Sequence, residues 1–346
     1  MFRYIWAFGL LLIATVLAAQ VRDGKPVSIL VSVTDDRGRF VDNLQQQDFE
    51  LREEGKEQTI SEFKTFRNTA SSVGVIVDVS ASMKNRLPDA IDAIDEFVGT
   101  LHKNDELFLM PFADIPRVAA DYGDGRSEFH RELSRLTNSG NPALYDSIIE
   151  AIHKLRLGHE SRRVLLIVSH GGDLVSNATP LGAIRAIHES DVLVYCLGIP
   201  APFGSNFNGA SNDFAGQIVI GQPGTSPQNP FPLPGRTIPI PVPGRPAPLP
   251  VPVPAPNRIE DTLDMDALKA LAEAGEGQAW RVQDRRGRGE PLGRIMSQIR
   301  SELRSQYAIG FSPDHPLKDN QWHDVTIRVK QPGYTVHSRA QYIGKY

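Results

Sequence analysis

VGVIVDVSASM, residues 73–83, runs apolar for five positions and then breaks into polar residues at Asp78. A short apolar run bounded by a polar loop reads as a strand buried on both faces of a parallel sheet. The loop that follows places one carboxylate, Asp78, and two hydroxyls, Ser80 and Ser82, at alternate positions. Such oxygens suit a hard divalent cation such as Mg²⁺. In open α/β sheets ligands collect at the carboxyl ends of strands, and this cluster stands at one.

Outward from this run the chain alternates strands with helices. Ile91, Ile94, Phe97, Val98 and Leu101 recur at helical spacing. ELFLMPF (106–112) reads as a strand, Phe129, Leu133 and Leu136 mark a short helix, and LYDSIIEAIHKL (144–155) is a longer one. VLLIV (164–168) and 191–199 are further buried strands, with a helix over 181–188 between them. Helices are expected over 265–274 and 292–307, and strands over 278–282 and 307–311. This order implies an α/β fold with a doubly wound, mostly parallel sheet. On either side the pattern is β. Val27, Ile29, Val31 and Val33 alternate with their neighbours, 48–53 and 58–63 flank a Glu54-Gly55 turn, and Val325, Ile327 and Val329 alternate before a last strand region over 334–343. Each flank is too small to bury a face alone, so the two are expected to pair as one antiparallel sandwich with the α/β unit inserted between them.

The expected organisation is a signal peptide over 1–19, an N-terminal β segment over 20–67, the α/β domain over 70–312 and a C-terminal β segment over 313–346. Arg3, an apolar stretch and Ala18-Ala19 support the leader, since a membrane span needs about 20 apolar residues. The mature protein is therefore expected to be periplasmic or secreted, with no transmembrane segment after cleavage. The single cysteine, Cys196, excludes an internal disulfide. A net charge of −4 gives no electrostatic reason to expect nucleic acid. Sixteen of the 26 prolines fall within 200–256, which reads as a polyproline-like surface insertion because the fold resumes after it. The nine histidines form no His-Glu-x-x-His, and Gly171-Gly172 lacks the lysine of a phosphate-binding loop.

Asp78-x-Ser80-x-Ser82 after an apolar strand resembles the metal-ion-dependent adhesion site of von Willebrand factor A domains. Taken with VSVTDDRGRFVDNL, DFELREEGKEQTISEF, ALYDSI, LIVSHGGD and ELRSQYAIGFSP, the chain resembles the VWFA-related acidobacterial domain family. That resemblance implies a von Willebrand A fold flanked by β segments, no enzymatic activity, and binding of a protein partner outside the cytoplasm. It also implies three loops at one sheet edge that hold a cation. The first, Asp78, Ser80 and Ser82, is intact. The second normally carries a threonine where this chain has Pro142, and the third an aspartate where it has His170.

The expected site is thus a degenerate one. Asp78, Ser80 and Ser82 are candidate ligands for a divalent cation, Mg²⁺ or Mn²⁺, held weakly or not at all. His170, Asn141 and Asp173 are candidate replacement donors. Ser80, Ser82, Asn141 and His170 are the expected partner-binding rim. Alternatively, Asp78 and the serines cap and tie the loops, with His170 paired to Asp78, in a metal-free envelope scaffold whose proline-rich arm recruits partners. A third reading takes a serine, His170 and an aspartate as a hydrolytic triad. It lacks a Gly-x-Ser-x-Gly elbow.

Overall fold

The structure, a computed structural model, describes residues 26–67, 69–200, 263–313, 315 and 321–344. The expected leader (1–19) and nearly all of the proline-rich insertion (200–256) lie outside the described residues. In chain order the elements are β1 (Val27–Asp35), β2 (Phe49–Glu53), β3 (Lys56–Gln58), β4 (Ile60–Thr65), β5 (Ser71–Asp78), α1 (Leu87–Thr100), β6 (Glu106–Phe112), α2 (Gly125–Ser134), α3 (Leu144–Leu155) and β7 (Arg162–Ser169). There follow α4 (Pro180–His188), β8 (Val192–Gly198), α5 (Met265–Ala274), β9 (Ala279–Arg281), α6 (Leu292–Ser305), β10 (Tyr307–Phe311), β11 (Trp322–Val329), β12 (Tyr334–His337) and β13 (Gln341–Ile343). No helix among the described residues is long and apolar enough to cross a membrane.

Five parallel strands form the central sheet in the order β6-β5-β7-β8-β9. All eight residues of β5 are buried, because both sheet faces are covered. Val73, Val75 and Val77 face a layer that includes Ile94 and Phe97 of α1, Phe129 of α2 and Ile295 and Ile299 of α6. Ile76 faces the opposite layer, with Leu144 and Ile148 of α3, Ala183 of α4 and Leu268 and Leu271 of α5. The chain leaves β5 for β6 on one side and returns to β7 on the other. The switch point of this doubly wound sheet therefore lies at the carboxyl ends of β5 and β7.

The flanking segments build two four-stranded antiparallel sheets, β12-β1-β10-β4 and β13-β11-β2-β3. Each interleaves N-terminal with C-terminal strands: β1 lies between β10 and β12, and β11 between β2 and β13. The sandwich core is Ile29, Val31, Val33, Phe49, Leu51, Tyr307, Ile309, Phe311, Val325 and Ile327. Two details differ from the sequence reading. The stretch over 58–63 is not one strand, because β3 pairs with β2 while β4 pairs with β10 in the other sheet. The stretch over 334–343 likewise divides, β12 joining β1 and β13 joining β11. Strand β10, within the span 70–312 expected for the α/β unit, pairs with β1 and β4 and so belongs to the sandwich.

Candidate functional site

Asp78 is the last residue of β5 and Ser169 the last of β7, the strand beside it. Asp78 Oδ2 accepts hydrogen bonds from His170 Nδ1 at 2.7 Å and Ser169 Oγ at 3.0 Å. Its Oδ1 accepts from the Ser80 amide at 2.9 Å. The hydroxyls of Ser80 and Ser82 bond to each other at 2.6 Å. Asp78, Ser80, Ser169 and His170 are fully buried, and Ser82 is buried too. Burial alone would raise the Asp78 carboxyl. The charge and hydrogen bond of His170, with the bonds from Ser80, outweigh it and hold the group below its ordinary value.

The second loop closes over the first. The Ala81 amide donates to Gly140 O at 3.0 Å, the Ser139 amide to Val79 O at 2.9 Å, and Asn138 Nδ2 to Ser80 O at 3.1 Å. The third loop meets the second where the Leu174 amide donates to Pro142 O at 2.9 Å. Two glycines make these turns possible. Gly140 has φ +70°, and a Cβ there would fall 2.0 Å from Asp114 Oδ2. Gly171 has φ +84°, and a Cβ there would fall 2.4 Å from the Asp264 carbonyl oxygen. The turns around residues 80, 141 and 170 thus come together at one sheet edge.

The profile of the von Willebrand factor type A domain family matches residues 73–172, the span that supplies all three of these turns. The chain contains a von Willebrand factor type A domain. No curated protein matches it. Among solved structures, an aerotolerance-related membrane protein from Bacteroides fragilis is similar at 17% identity and a TM-score of 0.41, over 68% of this chain and 98% of that one. BatB from Bacteroides thetaiotaomicron is similar at 15% identity and a TM-score of 0.42, over 68% and 97%. A von Willebrand factor type A protein from Catenulispora acidiphila is similar at 13% identity and a TM-score of 0.44, over 88% and 75%. At these identities and scores the likenesses carry no functional inference.

An A domain implies a divalent cation at the loops just described, and the residues present do not fit one of the Mg²⁺ type. Such an ion takes six or more oxygens. Here an imidazole occupies the place of the expected carboxylate, and proline that of the expected hydroxyl. Both oxygens of Asp78 are engaged by internal donors, and the two serine hydroxyls satisfy each other. The candidate replacement donors are committed elsewhere. Asp173 Oδ1 accepts from the Leu144 amide at 2.7 Å and from Ser176 Oγ at 2.5 Å, bracing the start of α3. Asn141 is exposed and bonds to Asp114 Oδ1 through its amide at 3.0 Å and its Nδ2 at 3.2 Å. The Asp146 carboxylate accepts from the amides of Asn177 and Ala178, which ties the third loop to α3.

Of the four residues expected on the partner-facing rim of the A domain, Asn141 alone is exposed. The loops around it carry apolar side chains that were not among the expected site residues. Ile115 is 78% exposed and follows Asp114. Leu174 and Val175 are each 40% exposed beside Pro142. The signal is present in the sequence as apolar residues inside polar loops, Asp-Ile-Pro and Gly-Gly-Asp-Leu-Val-Ser. Ser169 was also missed as a partner of Asp78. Its hydroxyl both donates to that carboxylate and accepts from the Gly171 amide at 3.0 Å.

Proposed function

We propose that this protein is an exported recognition module that captures a protein partner through the A-domain rim without a metal ion. The observation that carries the reading is the sealed Asp78–His170 pair, fully buried where a cation and an incoming acidic side chain would otherwise meet. With the chelating oxygens turned inward, Ser80, Ser82 and His170 act by holding the loops in shape. The surface they support presents Asn141 with Ile115, Leu174 and Val175. An apolar centre within a polar rim is the ordinary anatomy of a protein interface. Export rests on the N-terminal sequence. The catalytic alternative is weaker: Ser80, Ser82 and Ser169 are buried, and the Ser80 hydroxyl is bonded to Ser82.

The test is affinity capture from cells that make the protein, with and without EDTA, comparing the native chain with Ile115→Asp/Leu174→Asp and with a chain lacking Pro223 to Pro256. Capture that survives EDTA and the deletion but is lost in the double variant is the expected result. Loss on chelation would restore metal-dependent adhesion. Loss only on deletion would make the proline-rich arm the recruiting element.

A further inference from the structure

The inward face of the second sandwich sheet carries chemistry that a hydrophobic core does not need. Along β2, Phe49, Leu51 and Glu53 are the buried positions. Along β11 they are His323, Val325 and Ile327. Both rows are apolar until their last residue at one end of the sandwich, where Val325 pairs with Glu53 and His323 with Tyr342. Glu53 is 1% exposed and His323 8%. His315, on the connection between β10 and β11, completes the group with a side chain 35% exposed.

We propose that Glu53, His315 and His323 form a binding site for a divalent transition-metal ion of the Zn²⁺ type. One carboxylate oxygen and one ring nitrogen from each histidine lie within 4.8 Å of one another. His315 Nε2 stands 3.3 Å from Glu53 Oε2. Two ligands bound tetrahedrally at 2.0–2.1 Å are themselves about 3.3 Å apart, so this pair already has the required spacing. Two imidazoles and a carboxylate are a ligand set that favours zinc over Mg²⁺ or Ca²⁺.

Three further features point the same way. The Glu53 carboxylate is oriented by the Tyr342 hydroxyl, which donates to Oε1, and by Gln58 Nε2 at 3.3 Å from Oε2. Metal-bound carboxylates are characteristically held by such outer hydrogen bonds. His323 Nε2 is buried with no hydrogen-bond partner among the described residues, a cost that coordination would remove. The two imidazole rings stack with centroids 5.3 Å apart. The ion would clip the β10–β11 connection to β2 and β11, leaving one coordination position for water.

The test is calorimetric titration of the metal-stripped, tag-free protein with Zn²⁺, together with melting temperature with and without the ion. One Zn²⁺ per chain with micromolar or tighter affinity is expected, accompanied by a rise in melting temperature. His315→Ala, a change at a partly exposed side chain that leaves the core intact, should weaken binding at least tenfold and abolish the rise. Asp78→Asn, at the distant A-domain loops, should do neither. Absence of Zn²⁺ binding, or binding that His315→Ala leaves unchanged, overturns the proposal. So does binding lost in Asp78→Asn but kept in His315→Ala. Because the cluster belongs to the sandwich, none of these outcomes bears on partner capture by the rim.

Discussion

Asp78 and His170 convert what the sequence presents as a cation site into a buried couple. A carboxylate removed from water is costly unless it is paired and hydrogen-bonded, and His170 with Ser169 and the Ser80 amide supplies both conditions. His170→Ala would leave that carboxylate with hydroxyl and amide donors but no imidazole. We predict a loss of about 3 kcal/mol, typical of breaking a buried pair by removing one partner, measured by urea unfolding. A loss below about 1 kcal/mol, the range of a surface ion pair, would show that the pair does not hold the loops. The residue types at 78, 80 and 82 were legible from sequence, and so was the replacement of aspartate by His170. The direction in which each side chain turns was not. Whether Asp78 faces a cation or an imidazole depends on the packing of a loop 92 positions away.

At the scale of elements, the α/β unit was the easier part to read. Strand β6 and helices α3 and α5 have the bounds expected from periodicity, because a buried strand is a continuous apolar run and an amphipathic helix repeats at a fixed spacing. The sandwich was harder. Alternation with period two identifies a strand and its inward face, but not its neighbour. Residues 58–63 read as one stretch in the sequence, yet at Thr59 the chain passes from one sheet to the other. Partners more than 200 residues away, β10 and β11, decide which sheet each piece joins. The same limit concealed the Glu53, His315 and His323 cluster. The alternation of Val325 and Ile327, extended back two positions, turns His323 inward. Only the pairing of β11 with β2 then brings it to Glu53.

At the scale of the molecule, the A domain and the sandwich are joined through α6, which runs directly into the central strand β10. Glu302 of α6 stands at the joint. Its Oε1 accepts from Ser32 Oγ of β1 at 3.3 Å, and its Oε2 from Gln278 Nε2 at 3.4 Å. Arg339 adds a second tie, reaching Asp191 Oδ1 at 2.8 Å and the Ser28 carbonyl at 3.1 Å. Burial pushes the Glu302 carboxyl up to about 7, from an ordinary 4.5. The protonated form is therefore favoured by folding. Its contribution to stability is fully present below pH 4.5 and is lost as pH rises through 7. A displacement of that size corresponds to roughly 3 kcal/mol. Glu302→Gln should accordingly raise the melting temperature at pH 8 and leave it nearly unchanged at pH 4.5. An equal effect at both values would contradict the assignment.

The claim on which the function rests is that the rim is closed to the hard cations of its fold family by His170 and Pro142. Calorimetric titration with Mg²⁺ of the native protein and of Pro142→Thr/His170→Asp tests it most directly. The native chain should show no saturable binding at millimolar Mg²⁺, and the double variant should show binding that Asp78→Ala then abolishes. Saturable Mg²⁺ binding by the native chain, removed by Asp78→Ala alone, would contradict it.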